Sequence, residues 1–145
     1  MSTSTRQPDI LEVIADLSND EVFTPPRIAS QVLDLLPADV WNNPNLKFLD
    51  PGTKTGVFLR EITKRLMIGL ADTIPDDTKR LEHILTNQVY GIAITELTAL
   101  MSRRTLYCSK DAGGDHSAVT MQTESGNILQ PVFEHPFVGG RCPEC

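Results

Sequence analysis

Residues 48–59 read Phe48-Leu49-Asp50-Pro51-Gly52-Thr53-Lys54-Thr55-Gly56-Val57-Phe58-Leu59. A short apolar run ends in an acid and passes into a loop that contains two glycines. Apolar residues then recur at helical spacing, at Phe58, Leu59, Ile62 and Leu66. The stretch predicts a buried strand, a tight loop and a helix. Such a loop lets the backbone approach a ligand closely, and the helix N-terminus offers free N–H donors.

Directly upstream of this stretch, the sequence predicts a helix that begins in the segment Val22-Phe23-Thr24-Pro25-Pro26. Thr24 is a suitable N-cap, and Pro25 suits the first helical position. Ile28, Val32, Leu35 and Leu36 are predicted to line one face of this helix, which should stop near Pro37.

Downstream, the pattern continues with a helix, a strand and another helix. Asp76 or Asp77 is a candidate cap for the first of these helices. Residues 89–94 are apolar and partly β-branched, which is typical of a strand. Glu96 opens the last helix, whose predicted apolar face carries Leu97, Leu100 and Met101. Alternating strands and helices are typical of a parallel α/β sheet.

Length and composition narrow the class of protein. The chain has 145 residues, of which 40% are hydrophobic and 22% charged, so it suits one globular domain. No apolar run is long enough to span a bilayer, and the N-terminus lacks the apolar stretch of a signal peptide. We therefore expect a cytoplasmic protein. A net charge of −6 makes the chain by itself a poor nucleic-acid binder.

Three motifs resemble those of the adenine-specific DNA N6-methyltransferases of restriction-modification systems. Asp50-Pro51-x-x-x-x-Gly56-x-Phe58-Leu59 resembles their cofactor motif, which usually reads Asp-Pro-x-x-Gly-x-Gly-x-Phe-Leu. Phe23-Thr24-Pro25 is similar to a segment that precedes this motif in the family. Residues 90–96 are similar to the second strand and its acidic motif. The three motifs stand in the family's order and cover residues 22–107.

The resemblance implies an α/β fold, a Rossmann-like methyltransferase half-domain in which parallel strands have flanking helices. It also implies S-adenosylmethionine as the cofactor. A carboxylate after the first strand would bind the methionine amine, a carboxylate after the second would accept the ribose hydroxyls, and the Phe-Thr-Pro segment would close over the methionine end. The residues implied to bind the cofactor are Phe23, Thr24, Pro25, Asp50, Pro51, Gly52, Thr53, Gly56, Phe58 and Glu96.

Two residues depart from the family's pattern. Lys54 replaces the first glycine of the family's Gly-x-Gly, so either the loop is shifted or the Lys54 side chain points outward. Ala93 stands where the second strand usually ends in an acid. Glu96 can replace that acid if the strand ends early. Its other interpretation is a helix-start residue favoured by the helix dipole.

The family's target-base motif, Asn/Asp/Ser-Pro-Pro-Tyr/Phe/Trp, does not occur in the sequence. This motif holds the flipped adenine in the family. The chain therefore resembles the N-terminal part of a methyltransferase, has no predicted catalytic residues, and is not expected to methylate DNA alone. The expected partners are DNA through the full-length protein and a restriction endonuclease subunit or domain, with no membrane. The edge of a truncated sheet can also drive self-association.

The cysteines predict a metal site in the last part of the chain. Cys142 and Cys145 form a CxxC, and Cys108 and His135 complete a Cys₃His set of the kind that holds structural zinc. His116 is the competing nitrogen ligand, and a redox CxxC is the rival interpretation. We expect a small zinc-ribbon-like C-terminal insert.

These patterns divide the chain into three parts. Residues 1–21 are predicted to form an N-terminal helix, residues 22–107 the S-adenosylmethionine-binding region, and residues 108–145 the zinc-binding insert. An alternative function is a non-catalytic, zinc-bearing interaction module that kept the fold but lost the cofactor pocket. A dinucleotide-binding oxidoreductase fragment is a weaker alternative, since the sequence lacks Gly-x-Gly-x-x-Gly.

Overall fold

A parallel sheet of three short strands lies at the centre of the computed structural model, which describes residues 23–131. The elements follow one another as α1 (Pro26–Leu33), a 3₁₀ helix (Ala38–Asn42), β1 (Phe48–Asp50), α2 (Val57–Gly69), α3 (Asp77–Asn87), β2 (Val89–Ile92), α4 (Glu96–Tyr107) and β3 (Ile128–Leu129). The predicted α/β class with parallel strands and flanking helices is confirmed. The predicted N-terminal helix, residues 1–21, lies outside the described residues.

The strand order β1-β2-β3 places β2 in the middle of the sheet. β1 pairs with β2 in the register Phe48 to Val89, and β2 pairs with β3 in the register Gly91 to Ile128. Parallel pairing needs a crossover connection, which α2 and α3 supply between β1 and β2. The carboxyl ends of all three strands therefore lie at one edge of the sheet, where β1 leads into the loop of residues 51–56.

Helices α2 and α3 bury the side chains that their apolar spacing predicted. Leu59, Ile62 and Leu66 of α2 are buried, as are Ile84 and Leu85 of α3. Asp76 is the N-cap of α3, and its side chain accepts a hydrogen bond from the N–H of Lys79 at 2.9 Å. This confirms one of the two predicted caps.

Helix α1 differs from its prediction in both its start and its buried face. Pro25 is the N-cap and Pro26 the first helical residue, so Thr24 does not cap the helix. Ala29 and Leu33 are buried, whereas the predicted face is open at Val32, Leu35 and Leu36. Arg65 of α2 donates hydrogen bonds to the carbonyl and hydroxyl of Ser30 and pairs with Asp34. These bonds turn the Ser30 side of α1 towards α2.

Helix α4 also buries a face that its apolar residues did not predict. Leu97 is 67% exposed, while Thr98, Ser102 and Arg103 are buried beside Ala99, Leu106 and Tyr107. The Arg103 guanidinium donates to the carbonyl of Lys110 at 3.2 Å. α4 therefore packs through Leu106 and Tyr107 and also through small and polar side chains, of which Ser102 and Arg103 donate to carbonyls of neighbouring loops.

The strand β3 was not predicted, and partly buried hydrogen bonds of Asn127 hold it in place. The hydroxyl of Tyr107 accepts a bond from the N–H of Asn127 at 2.9 Å. The Asn127 amide donates to the carbonyls of Leu85, Thr86 and Val89. Ala112, Val119 and Ile128 join the same core as the helices. The described part of the predicted insert, residues 108–131, thus shares the core of the preceding region, and the zinc-bearing unit stays a prediction.

The 3₁₀ helix packs against the end of α2. Its Trp41 is buried and stacks on Phe48 of β1, with ring centroids 5.4 Å apart. A Cβ on Gly69, the last residue of α2, would clash with the carbonyl of Trp41 and lie 2.8 Å from Asn42 Oδ1. Only a glycine permits this close approach.

Among residues 23–131, none of the helices combines the length and apolar character that crossing a membrane requires.

We expect Gly69→Ala to lower the free energy of unfolding by about 1–3 kcal/mol, because its Cβ meets backbone atoms that cannot move aside cheaply. The gain in helix propensity, about 1 kcal/mol, opposes this loss. Gly52→Ala is the matched control, since a Cβ there has no neighbour within 4 Å. Urea unfolding followed by circular dichroism measures both. Equal stability of the two variants would contradict the close approach at Trp41.

Candidate functional site

The loop between β1 and α2, residues 51–56, lies at the carboxyl edge of the sheet. Asp50, the last residue of β1, is half-buried, and its Oδ1 accepts a hydrogen bond from the N–H of Gly52 at 3.1 Å. The loop leads directly into Val57, the first residue of α2. A carboxylate and a helix N-terminus therefore lie at the two ends of one short loop.

Buried hydroxyl groups fix this loop to the rest of the fold. The N–H of Thr53 donates to the carbonyl of Ile92, at the end of β2, at 2.9 Å. Thr53 Oγ1 lies 3.0 Å from Ser102 Oγ, and Ser102 Oγ donates to the carbonyl of Lys54 at 3.1 Å. Ser102 therefore contacts both the Thr53 side chain and the backbone of the loop. The loop is thus held by both β2 and α4.

Gly56 has a conformation and a setting that favour glycine. Its φ is +75°, in the left-handed region, and it is the N-cap of α2. A Cβ there would lie 3.1 Å from Ser102 Cα and 3.3 Å from Thr105 Cβ. The glycine that the motif places at this position therefore also lets α4 pack against the loop.

A cavity of about 170 Å³ lies beside the loop. Its lining residues are Thr24, Asp50, Gly52, Lys54, Thr55, Gly56, Val57 and Phe58. The structure thus brings together Thr24, Asp50, Gly52, Gly56 and Phe58 from the predicted cofactor set. Their role as cofactor ligands stays a prediction.

The other predicted cofactor residues lie elsewhere. Thr53 is a buried residue of the loop, Pro25 is the N-cap of α1, and Pro51 lines a second groove beside β1. Phe23 lies under the Lys54 side chain, whose Nζ is 5.9 Å from the centroid of the ring. This contact brings the Phe-Thr-Pro segment and the loop together.

Burial raises the pKa of the Asp50 carboxyl above its ordinary value of 3.8, because desolvation disfavours the charged form. Hydrogen bonds from the Gly52 backbone and the Thr53 side chain oppose this shift without cancelling it. A cation bound beside Asp50 would restore the interactions that the carboxylate lost with water.

Three residues that the sequence analysis did not assign also line the cavity. These are Lys54, Thr55 and Val57. Their position inside the Asp-Pro-to-Phe-Leu motif was the sequence feature that could have identified them as lining residues. Lys54 is exposed, and its side chain extends to Phe23, so it faces the Phe-Thr-Pro segment.

The end of β2 differs from the prediction by two residues. The strand ends at Ile92, and Ala93 is fully buried with its N–H donating to the carbonyl of Leu129 at 2.8 Å. Thr95 is the N-cap of α4 and forms a capping box with Thr98, which leaves Glu96 as the exposed first residue of the helix. In the described part of the chain, Glu96 is not among the residues that line the cavity, and its role as a ribose ligand stays a prediction.

The predicted zinc site lies mostly outside the described residues. Cys108 is exposed, has no disulfide partner within residues 23–131 and adopts a left-handed φ of 60° directly after α4. His135, Cys142 and Cys145 fall beyond residue 131. Among residues 23–131, which include His116, there is no group of three or more His, Cys, Asp or Glu side chains that could hold a metal.

A second groove, of about 460 Å³, is lined by residues of α1, β1 and α2. It is lined mainly by apolar side chains, which are Val32, Leu33, Leu36, Phe48, Leu49, Phe58 and Ile62, together with Lys47, Asp50 and Pro51. Leu49 is 58% exposed. The outer edge of β1 has no strand partner within residues 23–131.

Comparison with known proteins finds a similarity that covers most of this chain. A protein of Mycoplasma pneumoniae named "Uncharacterized adenine-specific methylase" is 43% identical to this chain over 142 residues. The match covers 89% of this chain and 34% of that protein. No family model and no solved structure matches. This chain is therefore similar, over most of its length, to about a third of a protein named as an adenine-specific methylase.

Proposed function

We propose that this chain is the S-adenosylmethionine-binding part of a DNA adenine N6-methyltransferase. The observation that carries the proposal is the position of Asp50, which ends β1 at a cavity bounded by the N-terminus of α2. Cofactors in parallel α/β folds bind at this edge of the sheet. The 43% identity to a protein named as an adenine-specific methylase supports the same activity.

The residues around the cavity fit the amino-acid end of the cofactor. Asp50 supplies a carboxylate for an ammonium group, and Thr24 lies across the loop. A volume of about 170 Å³ is smaller than the roughly 300–1,000 Å³ of pockets that enclose a whole ligand. We therefore assign this cavity to the methionine end, with the rest of the cofactor along the carboxyl edge of the sheet. Glu96 is our proposed ribose ligand.

In the whole enzyme the cofactor supplies a methyl group on a sulfonium, which the target adenine accepts at N6. This chain binds and orients the cofactor, and its prearranged loop lowers the entropy cost of doing so. The 145 residues contain no Asn/Asp/Ser-Pro-Pro-Tyr/Phe/Trp sequence, so we assign the binding of adenine to the rest of the enzyme.

Partners follow from this assignment. We propose that DNA binds through the whole protein and that the enzyme serves a restriction-modification system with an endonuclease subunit or domain. Self-association of the chain through β1 is supported by the unpaired outer edge of that strand within the described residues and by exposed Leu49.

A second candidate is a non-catalytic interaction module that kept the fold and lost the cofactor pocket. Ala93 favours this candidate, because a buried alanine stands where the methyltransferase family that the chain resembles has an acid. Failure of the wild-type chain to bind the cofactor would support this candidate.

We expect the purified chain to bind S-adenosylmethionine with one-to-one stoichiometry, and Asp50→Asn to weaken this binding at least tenfold. A hydrogen bond to a charged group contributes about 1.5–3 kcal/mol, and the amide keeps the shape but removes the charge. Asp72→Asn, a change at an exposed acid in the turn after α2, is the control and should bind like the wild type. Isothermal titration calorimetry measures all three, and equal affinities would overturn the role of Asp50.

The raised pKa of Asp50 has a consequence for stability. Folding raises the pKa of the Asp50 carboxyl above its ordinary value of 3.8. The contribution of this carboxyl to the free energy of unfolding is therefore fully present below pH 3.8 and is lost as the pH rises through the folded-state pKa. We expect the free energy of unfolding of the wild type, relative to that of Asp50→Asn, to fall over this window. At pH 7 Asp50→Asn should then be as stable as the wild type or more stable. Urea unfolding at several pH values tests this, and a relative stability that rises with pH would contradict it.

We also propose a structural zinc ion held by Cys108, His135, Cys142 and Cys145. The exposed Cys108 thiol at the end of α4 supports the proposal. The chain purified from zinc-supplemented medium should contain about one zinc per molecule by elemental analysis. Cys108→Ser and His135→Ala should lower this content, whereas His116→Ala should keep it. Zinc-free wild-type protein would rule out the site.

A further inference from the structure

Two opposite charges line the cavity without pairing with each other. Asp50 and Lys54 both line it, and among residues 23–131 neither side chain forms an ion pair within 4.0 Å. Asp50 is half-buried, whereas the Lys54 ammonium lies over the Phe23 ring. A negative and a positive side chain therefore border a space of about 170 Å³.

This pair of charges complements one chemical group. The α-amino-acid end of a ligand carries an ammonium and a carboxylate on the same carbon atom, and the cavity is too small for a much larger group. Asp50 can bind the ammonium but repels the carboxylate, which needs a cationic partner to offset its loss of water. Lys54 is the cation among the residues that line this cavity.

The loop holds the Lys54 backbone while leaving its side chain free to adjust. Its carbonyl accepts the bond from Ser102, so the main chain is fixed at this residue. The side chain is exposed and has four flexible methylene groups, and its contact with Phe23 is a cation–π contact with the centroid 5.9 Å away. The ammonium can therefore exchange the ring for a carboxylate without any change in the loop.

We propose that Lys54 binds the α-carboxylate of the ligand whose α-ammonium is bound by Asp50. This inference rests on the proposed function and adds to it a specificity determinant, which selects ligands with a free α-amino-acid end. It also assigns a role to Lys54, which replaces a glycine of the methyltransferase family that the chain resembles.

The test combines variants of the chain with a truncated ligand. Isothermal titration calorimetry is carried out with S-adenosylmethionine and with its decarboxylated analogue, which lacks only the α-carboxylate. Lys54→Met keeps most of the side-chain stem and removes the charge, and Lys54→Arg keeps the charge. Circular dichroism spectra check that each variant is folded.

We expect Lys54→Met to weaken binding of S-adenosylmethionine about tenfold and to leave binding of the analogue unchanged. Lys54→Arg should retain most of the affinity for S-adenosylmethionine. Asp50→Asn is the matched control and should weaken both ligands, because both carry the amine.

The other outcomes overturn either the role of Lys54 or the proposed function. If Lys54→Met weakens both ligands equally, or neither, Lys54 does not bind the carboxylate, while the proposed cofactor site still stands. If the folded wild-type chain binds neither ligand, the proposed function fails, and the role of Lys54 fails with it.

Discussion

A buried pair of hydroxyl groups is the contact on which the arrangement of the candidate site depends. Thr53 Oγ1 and Ser102 Oγ lie within hydrogen-bond distance of each other, and Ser102 Oγ donates to the carbonyl of Lys54. Together with the bond from Thr53 to the end of β2, this fixes the loop between Asp50 and α2 before any ligand arrives. The sheet edge, the helix N-terminus and the acidic side chain keep their relative positions because the loop cannot move away from α4.

The elements around this contact differ in how far the sequence predicted them. β1, the loop and α2 were predicted because the apolar spacing of Leu59, Ile62 and Leu66 coincides with the buried face. α4 was predicted as a helix but with the wrong face, since its packing surface contains Thr98, Ser102 and Arg103. Polar side chains of this kind are buried when they have hydrogen-bond partners, and apolar periodicity does not register those partners. β3 has only two residues, and its position depends on the amide of Asn127, which no local pattern reveals.

At the candidate site, too, the sequence predicted some features and missed others that depend on tertiary contacts. The Asp-Pro-to-Phe-Leu motif predicted a set of residues of which Asp50, Gly52, Gly56 and Phe58 do surround one cavity. Lys54 was treated as a departure from the motif, because the identity of a residue does not say where a long side chain goes. Its contact with Phe23 joins segments that lie about 30 residues apart, and such a contact follows from the tertiary fold. The burial of Ala93, whose N–H donates to the carbonyl of Leu129 in β3, likewise follows from the tertiary fold.

The strand pairings also affect how the chain acquires its structure. Each pair of neighbouring strands joins residues that lie about 40 positions apart in the sequence. Closing such long loops has an entropy cost that must be met before the pairing yields any stabilisation, so sheets of this topology assemble slowly compared with helices. β3 joins last in the order of synthesis, and the Tyr107 and Asn127 bonds form only when it arrives. During synthesis on the ribosome, the edge of β2 that pairs with β3 therefore stays unpaired until residue 129 has emerged. During that interval this edge can pair with a wrong strand.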